Sequence, residues 1–114
     1  MEDKIYLKVA RDIENDLLAG RLREGGQIPS THQVAERYHI NAATAARGVA
    51  VLTAQGLLDK KRGVGMFVAD GARDLILERR RAEFREGVLR QCIHEAALLG
   101  ISKRDLIAMI MSQA

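Results

Sequence analysis

The chain has 114 residues, 47% of them hydrophobic, with a formal net charge of +3 and a single cysteine. That length predicts about one domain with enough apolar residues for a packed core, which excludes a disordered chain and a disulfide-stapled miniature. No apolar run approaches the roughly 18 residues a bilayer span requires, no signal-like segment opens MEDKIYLK, and Cys92 has no internal disulfide partner, so a reducing, cytoplasmic setting is expected.

Ile5, Val9, Ile13 and Leu17 recur every four residues, with Leu18 beside them, and predict a first amphipathic helix that Gly20 ends. Residues 21–27 read as a connection. Ser30 then makes a good N-cap, and Gln33 three residues on completes a capping-box signature. The helix it starts is short, with Val34, Ala35 and Tyr38 on its apolar side. His39 and Ile40 interrupt it, and Asn41 is again a preferred N-cap. A third helix is expected from Ala42 to Gln55, with Ala45, Val49 and Leu52 facing inward and Gly56 closing it. Two short helices joined by a tight turn form a helix-turn-helix. Its turn lacks glycine, so any left-handed residue there has to be His39, and histidine tolerates that conformation better than most residues.

After Gly56 the period changes. Residues 57–61 and 65–69 are strand-like runs around Arg62, Gly63 and Val64, a β-hairpin with a basic, glycine-bearing tip. Three helices and such a hairpin make a winged helix, expected to occupy residues 1–70. Residues 71–114 form a different segment. One long helix is predicted from Arg73 to Leu99, carrying Leu77, Phe84, Val88, Cys92 and Ala96 along one side, with Arg79, Arg80, Arg81, Arg85 and Arg90 elsewhere on its surface. Gly100 stops it. Ser102 caps a final short helix with Asp105 at its third position. The fold class is therefore mainly α with a small β-hairpin wing, followed by a helical segment.

These residues resemble the GntR family of bacterial regulators, and within it the short YtrA-like subfamily. The resemblance runs from Ile5-Tyr6 through AGRLREGGQIPS (residues 19–30), VAERYHINAATAARGVAVLTAQGLL (34–58) and the wing KKRGVGMFVA (60–69), and the two-helix tail fits as well. It implies a winged-helix homodimer that binds a pseudo-palindromic double-stranded operator, usually as a repressor. By motif position, its DNA-contacting groups fall on Ser30 and His32, on Asn41, Ala42, Ala43 and Thr44 with Arg47, and on Arg62 and Gly63. Two departures stand out. Position 32, commonly arginine in the family, is histidine here, and Ala42 and Ala46 occupy positions that are basic in many relatives.

The chemistry of these residues bears on the same reading. The first turn of the third helix would face base edges in the major groove, where Asn41 and Thr44 can hydrogen-bond and the methyls of Ala42 and Ala43 can meet thymine methyls. Asn41 serves equally as a cap. Arg47 can reach a phosphate or a guanine, or remain a solvated surface residue. Ser30 and Thr31 place free backbone N–H groups and hydroxyls at a helix start that suits a phosphate. His32 is either a phosphate donor or an ordinary surface residue. Lys60, Lys61 and Arg62, with Gly63 and Gly65, make a basic loop able to lie against a minor groove. The plainer alternative is a hairpin charged for solubility.

Leu77, Phe84, Val88, Cys92 and Ala96 are expected to meet a second copy across a two-fold interface, unless the tail folds back on its own domain. No nucleotide loop, metal-chelating set or catalytic constellation stands out, so no cofactor, metal or enzymatic activity is expected. A tail of some 40 residues is too small to enclose a ligand pocket, so any small-molecule effector is expected to bind between subunits or to shift the angle of the long helix. The competing functional reading is a winged helix that binds a protein surface without specific DNA recognition.

Overall fold

The structure, a computed structural model, describes residues 2–113. Eight regular elements follow one another: α1 (Glu2–Leu18), α2 (Thr31–Tyr38), α3 (Ala42–Ala54), β1 (Leu58–Lys61), β2 (Gly65–Val68), α4 (Ala72–Phe84), α5 (Arg90–Leu98) and α6 (Lys103–Ser112). A π-helical turn, Arg85–Leu89, separates α4 from α5. The chain divides into two compact units, residues 1–77 and 78–114.

The first unit is the winged helix. Its main core gathers Ala10 and Leu17 of α1, Ile28 of the connection before α2, Val49 and Leu52 of α3, Leu57, Leu58 and Val68, and Ala72 and Ile76 of α4. A second cluster, Val9, Val34 and Ala45, joins the three helices. The helix ends follow the sequence signals closely. Ser30 Oγ accepts from the Gln33 N–H at 3.1 Å while Gln33 Oε1 accepts from the Ser30 N–H at 2.9 Å, so both arms of the capping box form. His39 adopts φ 53°, ψ 45°, and Ile40 N–H donates back to Ala35 O at 3.0 Å. The left-handed residue thus ends α2 and redirects the chain into α3, with no glycine needed. Asn41 Oδ1 accepts from the Thr44 N–H at 2.8 Å and starts α3.

Gly48 decides how closely α1 and α3 approach. A Cβ at this position would lie 2.9 Å from the Tyr6 carbonyl oxygen and 3.0 Å from Val9 Cβ. Only glycine admits the α1 backbone here, and nothing in the local pattern of α3 marks it.

β1 and β2 pair antiparallel in the register Leu58–Val68, Asp59–Phe67, Lys60–Met66 and Lys61–Gly65, so the hairpin forms where the strand-like runs placed it. The connection before α2 contributes to the same sheet. Gly25 N–H donates to Val68 O, Val68 N–H to Gly26 O and Ile28 N–H to Met66 O, at 2.8–3.0 Å. Residues 25–28 therefore cover the outer edge of β2. The pairing is long-range and glycine-rich, so it leaves no period-2 signature in the sequence.

Two expectations for the tail are corrected. The winged-helix unit extends to residue 77, not 70, because Ala72 and Ile76, 0% and 1% exposed, fill its core. The helix from residue 73 to 99 is also not uniform. The π turn at residues 85–89, with Gly87 at its centre, inserts an extra residue that resets the phase of everything after it by roughly 100°. In the second unit, α6 starts at Ser102, whose Oγ accepts from the Asp105 N–H at 3.1 Å, as its capping signature indicates.

Candidate nucleic-acid interface

α3 has two distinct faces. Thr44, Ala45, Gly48, Val49 and Leu52 are buried, while Ala42, Ala43, Ala46, Arg47 and Ala50 are exposed. The outer face repeats at positions 43, 46, 47 and 50, the spacing of one side of an α-helix. Apart from Arg47 it carries only methyl groups, so a partner can approach the helix backbone closely. The expected exposure of Thr44 is corrected: only 9% of the residue is accessible. Its N–H is already held by the Asn41 side chain. Ala46 and Ala50 take its place on the accessible face.

Arg47 is not a freely waving side chain. Its guanidinium carbon lies 4.1 Å from the centre of the Tyr6 ring of α1, a cation–π contact that restrains it beside the alanine face. Tyr6 is the functional neighbour that the sequence does not reveal, because the pairing joins residues 41 positions apart with no periodic relation.

At the start of α2, Ser30 is exposed and Thr31 half-buried, and Ser30 Oγ is engaged in the capping box. The next exposed group is His32, whose Nε2 lies 3.8 Å from Glu36 Oε1. A phosphate at this end would meet a helix start with no acidic residue in its first turn.

The wing projects Lys60, Lys61, Arg62, Gly63 and Val64, all exposed. Val64 N–H donates to Lys61 O at 2.9 Å and Gly63 sits at φ 76°, closing the turn. Lys61 Nζ rests 4.3 Å from the centre of the Phe67 ring, across the hairpin. Gly65 has a structural task of its own. At φ 138°, a Cβ there would lie 2.5 Å from Gln27 Nε2, the amide that donates to Val64 O at 2.9 Å. Gln27 thus ties the wing turn to the edge segment, and Gly65 makes room for it.

In the second unit, Phe84 and Val88 are 56% and 61% exposed and Cys92 is exposed as well. Ala96 is not available with them. It is 6% exposed, packed within its own unit, where Ile101 N–H donates to its carbonyl at 2.8 Å. Leu77 belongs to the winged-helix unit and is half-buried there. Among the described residues, no helix is long and apolar enough to cross a membrane, and no cluster of three His, Cys, Asp or Glu side chains could hold a metal ion.

Comparison with known proteins agrees with this geometry. Residues 5–68, more than half of the chain, match the family model for bacterial regulatory proteins of the gntR family. The HTH-type transcriptional repressor YtrA of Bacillus subtilis is 24% identical over 102 residues, covering 90% of this chain and 78% of its own. The crystal structure of a putative GntR-family transcriptional regulator from Bacteroides thetaiotaomicron is 36% identical, covers 94% of this chain and 93% of its own, and superposes with a TM-score of 0.74. The DNA-binding domain of AraR, crystallised with operator ORR3, is 26% identical and covers 56% of this chain and 77% of its own, with a TM-score of 0.54. With three helices and a paired wing in the matched region, the chain belongs to the GntR family of bacterial transcription regulators.

Proposed function

We propose that the protein is a cytoplasmic repressor that binds a pseudo-palindromic double-stranded DNA operator as a homodimer. The observation that carries this reading is the outer face of α3, four alanines around a restrained Arg47, on a unit that also bears a basic wing. Such a face enters the major groove closely and contacts thymine methyls, while Arg47 supplies the polar contact to a guanine or a phosphate. Asn41, Ala42 and Ala43 form the leading turn. Ser30, Thr31 and His32 meet a phosphate at the start of α2, and Lys61, Arg62 and Gly63 meet the minor groove or its phosphates. Neither Thr44 nor Gly65 is required as a direct contact.

The second unit supports the dimer reading. Ala96 is its only fully buried apolar residue among those described, whereas Phe84, Val88, Leu98, Leu99, Ile107, Ile110 and Met111 are all more than half exposed. So many large apolar side chains exposed on one small helical unit favour a covering partner. A second copy, using Phe84, Val88 and Cys92, covers it and holds two recognition helices about 34 Å apart, one turn of DNA. The repressor role of YtrA and the operator complex of the AraR domain support the direction of the reading.

Fluorescence anisotropy with DNA from upstream of the protein's own gene, at graded salt, tests it. Specific binding should exceed binding to scrambled DNA by at least about 10³-fold. Arg47→Ala should lower that preference by about 1–3 kcal/mol, and Lys61→Ala should weaken all sequences alike and flatten the salt slope by about one. Equal binding to all sequences would favour the protein-interaction module.

A further inference from the structure

The winged-helix unit contains a cavity of about 350 Å³ between α1, the 21–29 connection and α2. That volume falls within the roughly 300–1,000 Å³ of small-molecule sites. The family reading assigns it no role, and it lies away from the outer face of α3.

Its lining divides by chemistry. Val9 and Val34, both almost fully buried, form an apolar wall with Ile13, Leu22 and Pro29. The polar lining consists of Asp12, Asp16, Arg21, Arg37 and Tyr38. The two carboxylates are already matched. Asp12 Oδ2 accepts from Tyr38 Oη at 2.6 Å and from Lys8 Nζ at 2.8 Å. Asp16 Oδ1 accepts from Arg21 Nε at 2.7 Å. Burial opposes ionisation of Asp12, yet the hydrogen bonds from Lys8 and Tyr38 and the Lys8 charge hold its carboxyl below its ordinary value. Arg37, in the last turn of α2, has no carboxylate within ion-pair distance among the described residues. The lining itself thus holds two arginines and two aspartates, but Asp12 is engaged by Tyr38 and by Lys8 from outside the lining, and Asp16 by Arg21, which leaves the Arg37 guanidinium beside the apolar wall without a lining carboxylate of its own.

We propose that this cavity binds a small organic anion: a carboxylate on Arg37, with an aliphatic or aromatic body against Val9, Ile13, Leu22 and Val34. The planar guanidinium fork suits a carboxylate in two-point contact. Occupation also has a consequence, which rests on the DNA-binding reading above. α2 is joined to α1 here by the Tyr38–Asp12 hydrogen bond and leads through His39 directly into α3. A ligand seated against Val9 and Ile13 of α1 and Val34 of α2 contacts both helices at once, so ligand and operator affinities become coupled, and reciprocally so. The effector site is thereby placed inside the DNA-binding unit of each subunit, not between subunits.

The test uses the full chain, uniformly labelled with nitrogen-15, titrated with hexanoate and with benzoate at constant ionic strength. Hexylamine and benzylamine serve as cations of matched shape. Saturable shifts of the Val9, Ile13, Leu22, Val34 and Tyr38 amides are expected with the acids only, and Arg37→Gln, an exposed change, should weaken acid binding at least 10-fold. Absent shifts with both acids, equal binding of the amines, or an unchanged affinity in Arg37→Gln overturns the site. Operator anisotropy with and without saturating benzoate then reads the coupling. A shift of threefold or more in either direction supports it, and an unchanged operator affinity overturns it. If the acids bind but no DNA preference exists, the DNA-binding reading fails while the ligand site stands.

Discussion

The two units of this chain solve the burial problem in opposite ways. Residues 1–77 enclose two clusters of buried side chains, among them Val9, Leu52 and Ile76 at 1% exposure or less, and even recruit the first turns of α4 to complete the core. Residues 78–114 bury little beyond Ala96 and leave Phe84, Val88, Leu98 and Leu99 in water. Helices with comparable apolar content thus have different fates, because three helices and a hairpin can close around a centre and two helices cannot. A pair of helices has too little interior for its apolar area. The first unit closes its own core, and on the proposed reading a second copy of the chain completes the second.

The largest expected effect probes the first half of that contrast. Leu52→Ala should cost about 2–5 kcal/mol, read from urea denaturation, because it opens a cavity among residues that cannot collapse. The loss should be independent of protein concentration, and a concentration-dependent loss would show that the winged-helix core also draws on a partner. The second half is probed by Phe84→Asp. A buried, unpaired carboxylate should raise the dimer dissociation constant about 100-fold or more, some 3 kcal/mol, in sedimentation equilibrium. It should also abolish any concentration dependence of Tm, and a persisting dimer would move the interface to α6.

Gly48→Ala asks how tightly the first unit is closed. Alanine favours the helix by about 1 kcal/mol, but its Cβ meets the Tyr6 carbonyl at 2.9 Å. Overpacking of that kind costs about 1–3 kcal/mol, so a net loss of about 1 kcal/mol is expected in the denaturation midpoint, and a gain would mean that the two helices stand further apart.

Tyr38→Phe carries the smallest effect, about 1 kcal/mol at neutral pH, and its pH dependence is diagnostic. Burial, and then the hydrogen bond to the Asp12 carboxylate, push the Tyr38 hydroxyl up to about 12 from 10.0. A raised value stabilises the fold fully below pH 10 and loses that contribution as pH climbs toward 12. Asp12 is lowered, so its contribution is present above the ordinary carboxyl range and fades as pH falls through it. The stability difference between parent and variant should be flat near neutrality and shrink at both extremes, whereas a difference that is the same at every pH would break the Tyr38–Asp12 assignment.

Local signals of the sequence determined a great deal. Caps at Ser30, Asn41 and Ser102, the left-handed turn at His39, the hairpin at residues 58–68 and the family itself were legible, because each depends on a few neighbouring residues or on a pattern running along the chain. Only the tertiary structure decided which side chains meet. The Arg47–Tyr6 contact, the burial of Thr44, the need for glycine at position 48 and the charge-lined cavity beneath Tyr38 all join residues distant in the chain or depend on how closely two backbones approach. The π turn at residues 85–89 belongs with them. Periodicity assumes one residue count per turn, so a single inserted residue moves every later side chain to another face with no warning in the composition.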